Sequence, residues 1–213
     1  MYISVDNLSI ANELSSRDPF NARLLRVADI FLGIFLLVFA APLMALTVLA
    51  ILMEDSGPVL YKQERVGLNG CSFNILKFRS MRTDAEVHGP VWASQRDSRI
   101  TFVGRFIRLT HIDELPQVFN ILRGEMSFIG PRPERPHFVA KLEKELPLYR
   151  YRNLVKPGLT GWAQVMYPYG ASVEDAKSKL SYDLYYIKHR SLMLNIKILF
   201  ATAWVVIMRQ GSR

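Results

Sequence analysis

The uncharged stretch from Ile30 to Met53, IFLGIFLLVFAAPLMALTVLAILM, is the part of this chain that decides the fold. It is 24 residues long, and about 20 apolar residues are enough to cross the hydrocarbon core of a bilayer. Pro42 lies near its middle, where a proline removes one backbone hydrogen bond and clashes with the preceding turn. The sequence therefore predicts two helical halves of about a dozen residues, each too short to cross about 30 Å of hydrocarbon.

Basic residues lie on both sides of this stretch. They are Arg17, Arg23 and Arg26 before it and Lys62, Arg65, Lys77, Arg79 and Arg82 after it. Because cytoplasmic flanks are enriched in Lys and Arg, both ends are expected on the cytoplasmic side. We predict a helix-break-helix hairpin, broken at Pro42, that enters and leaves the same leaflet; a proline-kinked helix that spans the membrane is the alternative. A cleaved signal peptide fits poorly, because about 29 mixed residues precede the stretch.

Composition points to a membrane partner rather than to nucleic acid. The 213 residues are enough for one ordinary domain, half of them are apolar, and the net charge is +8. This combination favours an anionic phospholipid surface. We expect no nucleic-acid partner, because no binding fingerprint is present and the basic residues are scattered. Cys71 is the only cysteine, which excludes a disulfide within the chain and makes a structural zinc site improbable.

Two adjacent carboxylates, Asp113 and Glu114, precede a predicted helix. That helix is indicated by apolar residues at i, i+3, i+4 and i+7, starting at Leu115, and Pro116 falls in its first turn. Acidic residues favour helix N-termini for electrostatic reasons alone, so capping is one explanation. The other is that one carboxylate attacks phosphorus while its neighbour holds a metal or handles a proton.

Three arginines are candidates for binding phosphate near these carboxylates. Arg79 belongs to the basic segment 77–82, which is either a solvated edge or the floor of a pyrophosphate site. Arg108 precedes the acidic pair on a predicted helix over residues 103–108. Arg132 stands between two prolines, which fix φ on both sides and lower the entropy lost when it meets an anion.

Several segments carry local predictions. Extended residues on both sides of Gly67–Gly70 predict a hairpin, and residues 83–99 are expected to be loop-rich with a turn at Gly89-Pro90. The segment 155–164 is either a turn that contacts a nucleobase or diphosphate, or a structural turn with Trp162 in the core. Residues 192–208 predict a helix in the membrane interface, where Lys197 can snorkel and where Arg209 and Arg213 add head-group contacts.

Four sequence strings resemble those of one enzyme family. They are Lys77-Phe78-Arg79-Ser80-Met81, Asp113-Glu114-Leu115-Pro116-Gln117, Met126-Ser127-Phe128-Ile129-Gly130-Pro131-Arg132-Pro133 and Lys156-Pro157-Gly158-Leu159-Thr160-Gly161-Trp162-Ala163-Gln164. From about Arg23 to Arg213 the chain is similar to the bacterial polyprenyl-phosphate phosphoglycosyl transferases of the small monotopic superfamily. These are the initiating sugar transferases of exopolysaccharide and glycan assembly. Tyr167–Ser172 and Tyr182–Tyr186 resemble the exopolysaccharide type in particular.

The resemblance implies transfer of a sugar 1-phosphate from a UDP-sugar to undecaprenyl phosphate, with release of UMP. It implies that Asp113 is the nucleophile of a covalent phosphosugar intermediate and that Glu114 completes the dyad with one Mg²⁺ ion. Arg79, Arg108 and Arg132 match the positions that hold phosphate groups. The expected location is the cytoplasmic face of the bacterial inner membrane, and homo-oligomer formation stays open.

The expected fold is α+β and mostly helical, a monotopic membrane protein with interfacial amphipathic helices around a small catalytic domain. Residues 1–22 are expected to form a leader, 23–54 the re-entrant helix-break-helix, and 55–213 the catalytic domain with its interfacial C-terminal helix. Longer relatives carry additional N-terminal domains, so this chain is expected to be a minimal catalytic form or a fragment of one. Two alternatives are a non-catalytic scaffold of a glycan assembly complex and a basic membrane-binding module without chemistry.

Overall fold

The computed structural model describes residues 19–85, 97–168, 170 and 172–208, which form a mostly helical fold with two small sheets. The helices are α1 (Pro19–Glu54), α2 (Phe102–Leu109), α3 (Gln117–Arg123), α4 (Pro136–Glu145), α5 (Trp162–Met166), α6 (Val173–His189) and α7 (Leu192–Ile207). The strands are β1 (Leu60–Val66), β2 (Ser72–Phe78), β3 (Ser127–Ile129) and β4 (Gly158–Thr160). Single 3₁₀ segments cover Leu68–Gly70, Ile112–Glu114 and Tyr149–Leu154. The predicted α+β, mostly helical class is confirmed.

Helix α1 is continuous over 36 residues and contains Pro42. The predicted division of this stretch into two helices is therefore not confirmed. A proline removes one backbone hydrogen bond, and a helix of this length continues because the turns on either side keep theirs. Helix α1 also begins at Pro19, earlier than the boundary predicted at Arg23, whereas residues 1–18 of the predicted leader lie outside the described residues. The re-entrant path through the leaflet stays a prediction.

One face of α1 is buried and the rest of its surface is exposed and apolar. The helix is long and apolar enough, by length and composition, to cross a membrane. The buried positions are Asp29, Gly33, Ala40, Thr47 and Ile51, whose spacings of four and seven residues define one helical stripe. The exposed residues include Phe31, Phe39 and Met53, which is 87% exposed. Helix α1 therefore packs on protein along one side and presents a surface suited to lipid on the other.

Both ends of α1 are bonded to the same domain. Near its start, Arg26 donates to two carbonyls in the last turn of α3, at 2.6 and 2.7 Å, and Asp29 Oδ1 accepts from the Phe128 amide of β3 at 3.0 Å. At its end, the Glu54 carboxylate accepts from the first two amides of α2, at 2.6 and 3.0 Å. These amides have no partner within α2, so Glu54 caps that helix from outside.

Strands β1 and β2 form the predicted antiparallel hairpin, in register from Leu60 opposite Phe78 to Val66 opposite Ser72. The connection bends through Asn69 and Gly70, which adopt positive φ values of 55° and 81°. Gly70 tolerates this backbone because it has no Cβ atom. Most of the predicted loop over 83–99, including its Gly89-Pro90 turn, lies outside the described residues.

Strands β3 and β4 form a short parallel pair, Ser127 opposite Gly158 and Ile129 opposite Thr160. A Cβ atom on Gly158 would lie 2.1 Å from the Gly130 nitrogen, so the two backbones can approach only without side chains. Trp162 follows at once and packs against the core around Ile129. The structure thus supports the structural-turn alternative for residues 155–164.

Helix α7 confirms the predicted C-terminal helix. Ser191 caps it by accepting from the Leu194 amide at 3.3 Å, and Ile198 is fully buried in the core. Phe200 and Trp204 are 75% and 59% exposed. Its place in the membrane interface stays a prediction, and Arg209 and Arg213 lie outside the described residues.

Candidate active site

The acidic pair lies where predicted, immediately before a helix. His111 adopts a left-handed conformation, with φ 56°, and the 3₁₀ turn Ile112–Glu114 follows. Pro116 then occupies the position before α3 rather than its first turn. The buried side of α3 consists of Gln117, Val118, Asn120 and Ile121. The apolar pattern that starts at Leu115 therefore predicted only part of the buried face of α3, because polar side chains of this helix also lie in the core.

Asn120 joins helix α3, which follows the dyad, to strand β2 by side-chain hydrogen bonds. Its side chain is fully buried, its Oδ1 accepts from the Leu76 amide at 3.0 Å, and its Nδ2 donates to the Asn74 carbonyl at 2.8 Å. The amide group thereby takes the place that another strand would fill beside β2. Since Lys77 is the next residue of β2, this contact brings that lysine to the dyad.

Glu114 is the centre of a three-residue charge cluster. Its Oε1 accepts from Lys77 Nζ and from Arg132 Nη2, both at 2.7 Å. Burial alone raises the pKa of Glu114, but the charges and hydrogen bonds of Arg132 and Lys77 outweigh it, and the net pKa lies well below the usual range. The Glu114 charge in turn raises the pKa of Arg132. Glu114 therefore remains a carboxylate and fixes two cations at the site.

Asp113 is nearly buried, with 8% of its surface exposed. Among the described residues its carboxylate accepts no hydrogen bond and forms no ion pair. Burial raises the pKa of Asp113, and the charge of Glu114 adds to this, whereas Lys77, Arg108 and His111 lower it. The pKa is raised overall, so the ionised group is a stronger base and a better nucleophile than an ordinary aspartate.

The predicted arginines fall into two sets. Arg132 reaches the dyad directly, and Arg108 lies near enough for its charge to lower the pKa of Asp113. Arg79 instead donates to the carbonyls of Asp55 and Ser56, at 2.7 and 3.3 Å, and is buried at the end of α1. Its predicted phosphate contact stays a prediction, but these bonds indicate an anchoring role. Pro42 is exposed within α1, and none of the contacts described here joins it to the dyad.

Lys77 was not among the candidate site residues, although it reaches Glu114. The sequence contains one indication that Lys77 belongs to the site. It lies two residues before Arg79, and alternate residues of a strand face the same side. Strand β2 ends at Phe78, however, so the alternation does not carry through to Arg79. From the sequence alone, Lys77 and Arg79 are equally suited to pair with Glu114.

The donor set fits a magnesium ion that shares its ligands with a substrate. No group of three or more His, Cys, Asp or Glu side chains with metal-binding geometry occurs in the described part of the chain. Within the described residues, Asp113 has a carboxylate without a hydrogen-bond or ion-pair partner, and the Glu114 contacts with Lys77 and Arg132 both use Oε1. Mg²⁺ is commonly held by one or two carboxylates together with water and substrate phosphates. These two residues could therefore hold such an ion.

An exposed apolar surface leads up to the dyad. Phe102, Phe106 and Leu109 of α2 are 83%, 60% and 44% exposed and recur at i, i+4 and i+7. The opposite side of α2 buries Gly104 and Ile107. The helix ends at Leu109, so a surface suited to lipid lies four residues before Asp113.

Comparison with known proteins gives a consistent result. A family model described as bacterial sugar transferase matches residues 20–209. The UDP-N-acetylgalactosamine-undecaprenyl-phosphate N-acetylgalactosaminephosphotransferase of Aeromonas hydrophila is 43% identical over 213 residues, which cover 99% of this chain and 50% of that protein. The undecaprenyl-phosphate glucose phosphotransferase of Komagataeibacter xylinus is 44% identical over 183 residues, covering 83% of this chain and 34% of that protein.

A shorter relative is matched over nearly its whole length. The exopolysaccharide production protein PSS of Rhizobium leguminosarum bv. phaseoli is 38% identical over 183 residues, which cover 83% of this chain and 92% of that protein. By contrast, the chain spans half of the Aeromonas protein and about a third of the Komagataeibacter protein. The shared region is therefore the part that all three relatives have in common with this chain.

Proposed function

The chain belongs to the bacterial sugar transferase family, and from that membership we propose that it transfers a sugar 1-phosphate from a UDP-sugar to undecaprenyl phosphate. The product is an undecaprenyl-diphosphate sugar, which begins assembly of an exopolysaccharide or a related glycan. The names of the relatives support this reaction class, and they differ in the sugar, N-acetylgalactosamine in one and glucose in another.

The observation that carries the proposal is the contrast between the two carboxylates. Glu114 is neutralised by Lys77 and Arg132, whereas Asp113 is nearly buried and without a protein partner in the described part of the chain. A buried carboxylate with a raised pKa beside two cations suits attack on a phosphate that those cations bind. Capping alone does not explain the pair, because in the described part of the chain neither carboxylate accepts a hydrogen bond from an amide at the start of α3.

In the first step, an Asp113 carboxylate oxygen attacks the phosphorus that bears the sugar. The new bond joins that oxygen to phosphorus, and the bond from phosphorus to the bridging oxygen of the diphosphate breaks. The electron pair leaves with UMP, and no proton is required. Arg132, Lys77 and Arg108 hold the phosphate oxygens and offset their charge.

In the second step, a phosphate oxygen of undecaprenyl phosphate attacks the same phosphorus. The bond from phosphorus to Asp113 breaks, and its electron pair regenerates the carboxylate. One site thus serves a soluble donor and then a lipid acceptor, so ping-pong kinetics are expected. Asp113 and Glu114 are proposed to hold Mg²⁺, which when bound would neutralise charge on the diphosphate oxygens.

The proposed location is the cytoplasmic face of the inner membrane, with both ends of α1 on that side. The bonds of Arg26 and Asp29 at one end and of Glu54 at the other join a single domain, which supports a one-sided arrangement. The exposed apolar residues of α1, α2 and α7 would then meet the acyl region, and the net charge of +8 would favour anionic head groups.

The test is UMP release from a panel of UDP-sugars, with undecaprenyl phosphate and Mg²⁺, in lipid nanodiscs. The wild-type protein is compared with Asp113→Asn, which keeps the shape of the side chain but removes the nucleophile. We expect UMP release from the wild type with one or a few sugars and a loss of more than about 1,000-fold in the variant. Incubation with a labelled UDP-sugar, without acceptor, should label the wild-type protein through Asp113.

Two outcomes would count against the proposal. Equal UMP release from Asp113→Asn and the wild type would remove Asp113 from the chemistry. Silence across the panel, in a folded sample that binds lipid, would favour the scaffold alternative instead.

A further inference from the structure

The backbone that carries Arg132 is held by four consecutive carbonyl contacts. The carbonyls of residues 131, 132, 133 and 134 accept, in order, from the Gly158 amide, from Arg152 Nη2, from Arg65 Nη1 and from the Val66 amide, each at 2.9 Å. The prolines at 131 and 133 have no N–H group, so carbonyls supply most of the hydrogen bonding of this loop. Its orientation therefore depends on donors from three other parts of the chain.

Arg152 provides the contact at residue 132 itself. It lies in the 3₁₀ segment Tyr149–Leu154 and is only 8% exposed. Three of its nitrogens have different partners: Nε donates to Asp183 Oδ2 at 2.7 Å, Nη1 to the Tyr149 hydroxyl at 2.6 Å, and Nη2 to the Arg132 carbonyl at 2.9 Å. Only the planar guanidinium can reach an acid, a hydroxyl and a carbonyl in fixed directions.

A buried ion pair of this kind is not explained by stability alone. Asp183 is 2% exposed, and replacing such a pair by apolar side chains is often neutral or stabilising. The Arg132 side chain, in contrast, is 44% exposed and forms an ion pair with Glu114 at 2.7 Å. Arg152 thus uses a buried charged group to bind the backbone carbonyl of Arg132, which is a half-exposed residue at the site.

We propose that Arg152 is a positioning residue, which holds the Arg132 carbonyl so that the Arg132 guanidinium meets Glu114 and the substrate phosphate. Asp183 and Tyr149 orient Arg152 in turn. This inference rests on the proposed function and names a residue that acts through Arg132 without touching substrate. Its consequence is that Arg152 should matter for turnover only while Arg132 is present.

The test is a double-mutant cycle in the full chain in nanodiscs, read as kcat/KM for UMP release. Arg152→Lys keeps the charge beside Asp183 but loses the fixed three-way contact. We expect Arg132→Gln to lower kcat/KM about 100-fold and Arg152→Lys about 10-fold, with the double variant within about threefold of Arg132→Gln. A further 10-fold loss in the double variant would overturn the proposal, because the two residues would then act independently.

Tyr186→Phe is the matched control. It removes a buried hydroxyl that contacts the Ile129 carbonyl, at 3.3 Å, and Asn195, at 3.1 Å, in the same core. We expect it to lower Tm as Arg152→Lys does but to keep kcat/KM within about twofold of the wild type. An equal loss of kcat/KM in both variants would show general loosening of the core and would overturn the proposal.

Tyr149→Phe covers the case in which Arg152→Lys does not fold. It removes one partner of Arg152 and should lower kcat/KM about threefold with Arg132 present and not at all in Arg132→Gln. The same loss in both backgrounds would overturn the inference. Absence of UMP release from the wild type would overturn the proposed function and this inference with it, whereas an active wild type with an additive cycle would overturn only this inference.

Discussion

Asn120 gives the sharpest test of how the site is assembled, since it joins the dyad helix to the strand that carries Lys77. We consider Asn120→Leu, which is close in shape but cannot accept from the Leu76 amide or donate to the Asn74 carbonyl. Both backbone groups lose their partner at a residue that is fully buried.

The magnitude follows from these contacts. An unpartnered backbone group costs about 2 kcal/mol in the middle of its usual range, so two cost about 4 kcal/mol. The apolar side chain gains about 1.5 kcal/mol from burial, which leaves a net loss of about 2.5 kcal/mol. For a chain of this size, 1 kcal/mol shifts Tm by about 2–4 °C, so Tm should fall by about 5–10 °C.

The assay is thermal unfolding followed by circular dichroism in a fixed detergent, with UMP release measured well below Tm. Asn74→Leu is the matched control, because it makes the same Asn-to-Leu change on strand β2, which Asn120 contacts, but at an exposed side chain. Its Tm should change by less than about 2 °C. Equal Tm values for the two variants would refute the reasoning that Asn120 replaces a strand partner beside β2.

Three further predictions concern charge at the site. Because the pKa of Asp113 is raised, UMP release should fall with decreasing pH before an ordinary aspartate, with a pKa of 3.8, would be protonated. A flat pH-rate profile down to pH 4 would contradict this. Lys77→Met removes a cation that lowers the pKa of Asp113, so the acidic limb of the pH-rate profile should move to higher pH. At pH 7.5, kcat/KM should fall about 10–100-fold. An acidic limb at the wild-type pH would be the contrary result. Arg79→Lys loses hydrogen bonds to the carbonyls of Asp55 and Ser56, so Tm should fall by about 4–12 °C. The KM for the UDP-sugar should stay within about threefold of the wild-type value. A large rise in KM at unchanged Tm would instead support the predicted phosphate contact of Arg79.

Local chemistry in the sequence was enough to predict the hairpin, helix α2 and the dyad before α3. Each depends on residues near one another in the chain: Gly67 and Gly70 at the turn, and Pro116 at the helix start. These features need little information from the rest of the fold. The prolines on both sides of Arg132 restrict its backbone, but its place beside Glu114 also depends on distant donors, which are Arg65, Val66, Arg152 and Gly158.

Other features depend on contacts between distant segments. The pairing of β3 with β4 joins residues about 30 positions apart. In the sequence it is indicated only by Gly130 and Gly158, the two glycines at which the backbones approach closely. Whether Lys77 or Arg79 reaches Glu114 depends on where β2 ends against α3, which no local pattern specifies. Pro42 was expected to divide the apolar stretch, but α1 continues through it, because the turns on either side keep their backbone hydrogen bonds.

The attachment of α1 at both ends bears on how a water-soluble form of the protein could be made. Deleting the helix would expose the stripe beneath it and strip α2 of its Glu54 cap and β3 of its Asp29 contact. Surface redesign is the better route: polar residues replace exposed ones such as Phe31 and Phe39, while Gly33 and Ile51 on the buried stripe stay unchanged. Such a protein would keep the architecture of the candidate site and lose the lipid-suited surface of α1, while the exposed apolar residues of α2 and α7 stay in place. It would thus separate the part that α1 plays in membrane binding from the proposed chemistry of the site.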